Sequence, residues 1–310
     1  MTFAPIVLFV YNRPDLVSRT LQHLQKNTFC SDSELFVYSD GAKRDEVTEK
    51  KVAEVREILK NISGFKNVTI VESEQNKGLA NSIISGVTEV VERYGKIIVL
   101  EDDLETSPDF LRFMNEALEK YEDEQQVMQI AGHMFNVKLQ VDSDTIFLPM
   151  TNSIGWATWK RSWNFFDPCM SGYNKLKENK ELRDKFNLEG TIRYFEMLVD
   201  QLHNKIDSWA IRWYLSVFLN DGMVLYPTES LIRHIGFDEK ATHATCNNYI
   251  YAQKCRKIFT EQIRFSPMEI DHDSLERIKR CLVSPPKNKV RYASIAKRFV
   301  SWRDLCWRKK

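Results

Sequence analysis

Three adjacent carboxylates, Glu101-Asp102-Asp103, follow directly on the apolar run Ile97-Ile98-Val99-Leu100. A short run rich in β-branched residues reads as a buried strand of a parallel sheet. Open α/β sheets bind their ligands at the carboxyl ends of such strands. Three partly shielded carboxylates repel one another unless a cation or a hydroxyl-rich ligand offsets them. Oxygen ligands of this kind suit Mg²⁺ or Mn²⁺, which bridge a protein carboxylate to a substrate diphosphate. The bland alternative is that one Asp caps the next helix. Ser107-Pro108-Asp109 already offers that helix an N-cap, a proline at its first position and an acid in its first turn.

The elements needed to position the triplet are legible around it. A strand Ile6 to Val10 leads through Tyr11-Asn12-Arg13 into a helix from Pro14. A strand Glu34 to Ser39 ends in Asp40-Gly41, and a charged helix follows from about Glu46 to Lys60. A strand Val68 to Glu72 leads through Asn76-Lys77-Gly78 into a helix closed by Gly95. A helix Pro108 to Tyr121 and a strand Val127 to Gly132 follow the triplet. Four strand–helix units within about 130 residues predict an α/β doubly wound sheet with right-handed crossovers. The second half is less regular. Gly155-Trp156-Ala157-Thr158-Trp159 and Trp163 read as an aromatic cluster in a loop, followed by helices at 174–186 and 190–204. Another helix opens at Asp207-Ser208-Trp209, then a short strand Met223 to Tyr226 and a glycine-containing loop from His234 to His243.

Asn12-Arg13, Asp40-Gly41, Asn76-Lys77-Gly78 and the triplet all fall at strand ends, on the ligand-binding rim. No phosphate-binding loop of the GxxxxGK type and no GxGxxG occurs there, which removes the main support for ATPase and dinucleotide readings. An Asp for a base or ribose, cations for phosphate and carboxylates for a metal together suggest a nucleotide-sugar site. Singly, Asp40-Gly41 also reads as a plain turn, and Arg13 and Lys77 as solvated charges.

On these residues the sequence resembles the GT-A glycosyltransferases, particularly N-acetylglucosaminyltransferase I and its bacterial family-2-like relatives. The resemblance covers about Ile6 to His243 and is most specific at Glu101-Asp102-Asp103-Leu104-Glu105 with Pro108-Asp109-Phe110. It implies a GT-A fold, a Rossmann-like mixed sheet flanked by helices. It implies that Asn12, Arg13, Asp40 and Lys77 hold the nucleotide, that Glu101 and Asp102 face ribose and sugar, and that Asp103 ligates Mn²⁺ or Mg²⁺. His243 is then either a further metal ligand or a loop histidine. Gly155-Trp156 resembles a segment near the acceptor, giving Trp156 and Trp209 as acceptor residues, with core packing the alternative for any Trp. Asp207 corresponds to the catalytic base; the family's Trp-Asp-Asp-Trp is Ile206-Asp207-Ser208-Trp209 here, and an N-cap is the other reading of Asp207. The implied reaction is inverting, metal-dependent transfer of a hexose or N-acetylhexosamine from a UDP-sugar to a glycan acceptor, free or lipid-linked, in bacterial surface polysaccharide synthesis. A non-catalytic glycan-binding protein and a sugar nucleotidyltransferase are the alternatives.

Composition sets the frame. With 310 residues, 43% of them hydrophobic, the chain can build a substantial core. A net charge of +1 gives no global signal for nucleic acid. Cys30, Cys169, Cys246, Cys255, Cys281 and Cys306 are scattered with no CxxC pair, as expected of reduced thiols in a cytoplasmic protein. No charged leader and no apolar stretch of membrane-spanning length are expected. Pro285-Pro286 marks a break. Before it we expect a nucleotide-sugar-binding half (1–135) and an acceptor half (136–284) of one domain; after it, a basic helical segment (285–310). From Lys287 to Lys310 the segment has nine Lys/Arg against Asp304 alone, so the rest of the chain carries −7. Tyr292, Ile295, Phe299, Trp302 and Cys306 would form one apolar stripe of a helix flanked by cations. That pattern predicts peripheral attachment to an anionic membrane on the cytoplasmic face, or else docking onto the acidic body.

Overall fold

The computed structural model describes residues 2–236, 259 and 261–283. The first half alternates as expected: β1 (Ile6–Val10), α1 (Pro14–Leu24), β2 (Glu34–Ser39), α2 (Glu46–Leu59), β3 (Asn67–Glu72), α3 (Leu79–Tyr94) and β4 (Lys96–Glu101). Pro14 opens α1, where a missing N–H breaks no helical bond. Asp45 caps α2 by accepting the Thr48 N–H at 2.8 Å, and Gly95 ends α3 in the left-handed conformation.

Beyond the triplet come β5 (Leu104–Thr106), α4 (Phe110–Lys120), β6 (Val127–Ala131), β7 (Thr145–Leu148), β8 (Trp156–Trp159) and α5 (Lys160–Trp163). Then follow α6 (Tyr173–Glu178), α7 (Lys180–Phe186), α8 (Tyr194–Leu202), α9 (Trp209–Leu219), β9 (Met223–Pro227), β10 (Ile232–His234) and α10 (His272–Val283). Eight strands form one sheet in the order β3-β2-β1-β4-β8-β6-β9-β7. The strands β1 to β4 are mutually parallel, β8 runs antiparallel to both β4 and β6, and β7 runs antiparallel to β9. β5 and β10 make a separate antiparallel ribbon. This is the GT-A arrangement, a mixed sheet with helices on both faces. The cores lie on either side: α1, α2 and α4 cover one face, and α3 with α5 to α10 covers the other.

Several sequence expectations are corrected. The aromatic stretch Trp156 to Trp159 is a strand, not a loop. All four residues are buried, so no polar alternation betrays the strand, as is usual where both faces are covered. Trp156 enters one core beside Trp163, Trp209 and Trp213. Trp159 enters the other and donates its indole N–H to the Leu118 carbonyl. The stretch at 174–186 is two helices, because Asn179 caps α7 by accepting the Leu182 N–H. The helix expected from 190 starts at Tyr194, since Leu188, Glu189 and Gly190 all have left-handed backbone. Finally, α4 starts at Phe110 rather than at Pro108. Ser107 continues the ribbon by donating its N–H to Leu231 O, and the first turn of α4 is capped from outside by Asn27, which accepts the Leu111 N–H.

Among the described residues no helix is long and apolar enough to cross a membrane. Cys30, Cys169 and Cys281 are free thiols, and the other three cysteines lie outside the described residues.

Since the Trp156 ring lies in the larger core, Trp156→Ala should cost about 3–5 kcal/mol of stability. Urea unfolding followed by near-UV circular dichroism measures it. A loss below about 1 kcal/mol would contradict a core role for the ring.

Candidate active site

Strand register assembles the rim. Phe9 of β1 pairs with Glu101, and Val10 pairs with Ser39. The residues that follow each strand, Tyr11 to Arg13, Asp40 and the triplet, are therefore neighbours. Asp102 and Asp103 are buried. The Arg13 guanidinium spans them, with one terminal nitrogen on Asp102 and the other 2.8 Å from Asp103. The Tyr11 N–H donates to Asp102 at 3.3 Å. Thr20, fully buried in α1, donates its hydroxyl to Asp102 O and accepts the Leu104 N–H. The triplet is thus tied to β1 and α1 before any ligand arrives.

Electrostatics at this point are tense. Burial first, then Asp103 and Asp102, push Glu101 up to about 8. Burial also raises Asp102 above the usual carboxylate range, although Arg13 opposes the shift. Arg13 itself is held above its ordinary value by Asp102 and Asp103, against the cost of its burial.

The β5–β10 ribbon and the residues just after it bring His234 and Gly236, the start of the glycine-containing stretch His234 to His243, to the triplet, with roles that the sequence alone did not assign. Leu104 pairs with His234, and Ile235 N–H donates to Asp103 O at 2.8 Å. This brings His234 Nε2 to 3.8 Å from Asp103. Gly236 N–H donates to His234 Nδ1, so the neutral ring carries its proton on Nε2, facing the carboxylate. A Cβ on Gly236 would lie 2.3 Å from Asp103 Oδ2, so any larger residue here would displace the Asp103 carboxylate. On the other side of the ribbon, Arg19 and Arg233 both pair with the buried Glu105. His133, just after β6, is fully buried, and burial followed by the proximity of His234 lowers it to about 3. It is a neutral imidazole at any physiological pH. For His133 the sequence offered no signal; the stretch beginning at His234 was marked by its resemblance to a donor-closing loop, without a role for the histidine itself.

Asp40, at the end of β2, is bonded to the loop beside it. Its carboxylate accepts N–H groups from Gly41, Lys77 and Gly78 and the Asn76 side-chain amide, at 2.9 to 3.1 Å. It fastens the Asn76-Lys77-Gly78 loop to the end of β2, with the Lys77 side chain exposed; Asn12, next to Arg13 in the chain, is half-buried. Tyr11 links the two groups: its hydroxyl accepts the Lys43 N–H, while its own N–H binds Asp102.

Asp207 precedes α9 but does not cap it. Ser208 caps, accepting the Ile211 N–H, and Asp207 is paired instead with Arg212 at 2.8 Å. Trp209 stacks on Trp156 at 5.1 Å, and Trp156 pairs with Val99 of β4. That chain of contacts sets the start of α9 against the strand that delivers the triplet. The same contacts correct the acceptor assignment: Trp156 is 1% and Trp209 4% exposed. Stacked in the core, they offer no open ring for a sugar. His243 lies outside the described residues.

The donor set fits a divalent cation shared with a ligand. Among the described residues no three His, Cys, Asp or Glu side chains converge as a closed metal cage. Mg²⁺ and Mn²⁺ at diphosphate sites take one or two carboxylates and draw the rest of their shell from phosphate and water. A buried carboxylate pair whose repulsion a cation relieves is suited to that arrangement.

Residues 6–180, more than half of the chain, match the family model described as glycosyl transferase family 2. Among solved structures, a mannosyltransferase from Pyrobaculum calidifontis, PcManGT, in complex with GDP-Man and Mn²⁺, is 16% identical, with a TM-score of 0.36 over 53% of this chain and 47% of that one. TarS from S. aureus, residues 1–349, is 12% identical, with a TM-score of 0.42 over 74% of this chain and 59% of that one. The chain therefore spans about half the length of these proteins. No curated protein sequence matches it.

With its raised value, Glu101 makes the fold less stable as pH rises from about 4.5 toward 8. Over that range the folded state holds a proton that the unfolded chain releases. In EDTA, Glu101→Gln should flatten this fall, as read from melting temperatures at pH 5 and pH 8. Parallel pH dependence in both proteins would show that Glu101 titrates normally.

Proposed function

The chain belongs to glycosyl transferase family 2, a nucleotide-sugar-dependent glycosyltransferase, and from that premise we propose an inverting, divalent-metal-dependent transfer from a UDP-sugar. The sugar is a hexose or N-acetylhexosamine, and the acceptor is a glycan, free or lipid-linked, in surface polysaccharide synthesis. The observation that carries this reading is the buried Asp102–Asp103 pair under Arg13 at the carboxyl end of β4.

Asp103 and its neighbours would hold the cation, which as a Lewis acid neutralises charge growing on the departing diphosphate. Arg13 and Lys77 add positive charge at the same rim, and His234 presents a donor N–H toward it. Asp207 acts as general base: as the acceptor oxygen attacks the anomeric carbon, its proton passes to the carboxylate, while the bond to the diphosphate breaks with its electron pair. One base without a covalent intermediate inverts the anomeric centre. The GDP-Man and Mn²⁺ bound to PcManGT support a nucleotide-diphosphate sugar with Mn²⁺ and make GDP-mannose the necessary comparison donor.

Purified chain incubated with Mn²⁺ and a panel of UDP-sugars plus GDP-mannose should release UDP from one UDP-sugar and stop in EDTA. Turnover of GDP-mannose alone would overturn UDP as the donor nucleotide. Pyrophosphate-dependent exchange would indicate a nucleotidyltransferase, and silence with intact binding a glycan-binding protein. Asp103→Ala should abolish Mn²⁺-dependent UDP binding in calorimetry while keeping its melting temperature within a few degrees. Wild-type affinity in the folded variant would remove Asp103 from the metal site.

The basic segment 285–310 lies outside the described residues. Its nine cations and spaced aromatics support peripheral attachment to the inner face of the cytoplasmic membrane, at roughly 1 kcal/mol per basic residue near an anionic surface. The full chain should co-sediment with phosphatidylserine-containing vesicles and a chain ending at Ser284 should not. Equal partitioning by both would defeat this placement.

A further inference from the structure

We infer that Arg212 is a positioning residue for the proton acceptor of the reaction, gripping Asp207 through one carboxylate oxygen so that the other receives the proton. This rests on Asp207 as the general base.

Arg212 lies one turn into α9 with its side chain only 10% exposed. A guanidinium withdrawn that far from water needs an anionic partner, and truncating either member of such a pair is costly. Asp207 is that partner. One terminal nitrogen donates to Asp207 Oδ1 at 2.8 Å, and Nε donates to Ser208 O at 3.1 Å. The same planar group therefore holds both the Asp207 side chain and the peptide following it, which a lysine's point charge cannot do. From the other side, Gln201 of α8 accepts the Ser208 N–H at 2.7 Å, and Ser208 spends its hydroxyl on the helix cap. The backbone beside Asp207 is thus fastened from two helices, and the carboxylate is free of any capping duty. It is 37% exposed, in contrast to its buried cation. Among the described residues Oδ2 has no recorded donor, which makes it the atom for the acceptor proton.

Serving as counter-ion to a buried arginine takes only one oxygen, and Asp207 meets that need while keeping the rest of its carboxylate toward solvent. A general base gains two things from this grip: a fixed rotamer and one oxygen kept available. The step balances simply. The acceptor O–H bond breaks, its proton goes to Oδ2, the oxygen's electron pair forms the new glycosidic bond, and the diphosphate leaves with the old one.

The test is a double-mutant cycle in the full chain, using the panel's fastest sugar nucleotide, with Asp207→Asn, Arg212→Met and the two combined. Arg212→Met should lower kcat by roughly 10²-fold, the scale of a misplaced catalytic group, with donor KM within about twofold. Arg212→Lys should recover part of the loss. The double variant should be no slower than Asp207→Asn alone, because Arg212 acts through Asp207. Multiplying losses, or a raised KM at unchanged kcat, would show a merely structural arginine. If Arg212→Met fails to fold, Arg212→Lys and Arg212→Gln complete the same cycle. Asp207→Asn within a few-fold of wild type would sink the base assignment and this inference together. An inactive Asp207→Asn beside a fully active Arg212→Met would sink this inference alone.

Discussion

Asp102 and Asp103, both withdrawn from water, can stand side by side because the Arg13 guanidinium lies across them. Two like charges about 4 Å apart repel by about 4 kcal/mol at the effective dielectric of a protein surface. A single planar cation with donors on two edges offsets that cost in a way a lysine could not. Everything near the triplet follows from this placement. Arg13 reaches the carboxylates because β1 pairs with β4 in a register that aligns Phe9 with Glu101. The backbone turn between them is held by Thr20, and the chain passes over Asp103 at Gly236, where any larger residue would displace the carboxylate. Glu101, next in the chain, is raised by its burial and then by Asp103 and Asp102, and Arg13 offsets only part of that, so its affinity for a proton rises.

The polar residues of the rim divide by what their bonds are spent on. Asp40, Thr20, Gln201 and Ser208 direct their hydrogen bonds inward, to loops and helix ends. Buried groups of this kind are expensive to leave unmatched, so each loop they bind has one conformation. Arg13, Lys77 and Asp207 keep part of their surface toward solvent on a scaffold the others have made stiff. Asp40 shows what a sequence does not reveal of an aspartate at a strand end: its carboxylate holds the neighbouring loop through four hydrogen bonds.

The parallel half was legible because each strand there is a short apolar run bounded by a turn or cap, a local signal. The triplet and the strand-end positions of Asn12, Arg13 and Lys77 came with it. What stayed hidden depends on residues distant in sequence. Trp156 to Trp159 look like no strand because both faces are buried and the partners, β4 and β6, lie well upstream in the chain with no hairpin turn to announce the pairing. The start of α4 was misplaced because its cap, Asn27, comes from more than eighty residues upstream. His234 and Gly236 approach Asp103 through a three-residue strand pairing too short for any periodicity. Asp207 was legible as a resemblance, but its bond to Arg212 appears only when the helix forms.

The position of β8 has a consequence for how the chain reaches this structure. β1 to β4 pair with neighbours made within the first hundred residues, but the far edge of β4 is filled only by residues 156–159, which also separate it from β6. Until that late strand inserts, Ile97 to Leu100 present an open apolar edge, the kind that recruits other chains. The parallel half of the sheet is thus complete in sequence well before it is protected in space. Its folding is gated by a long-range pairing, the slow class of contact in sheet proteins. The strand that brings Trp156 to the core is also the one that seals the half carrying the acidic triplet.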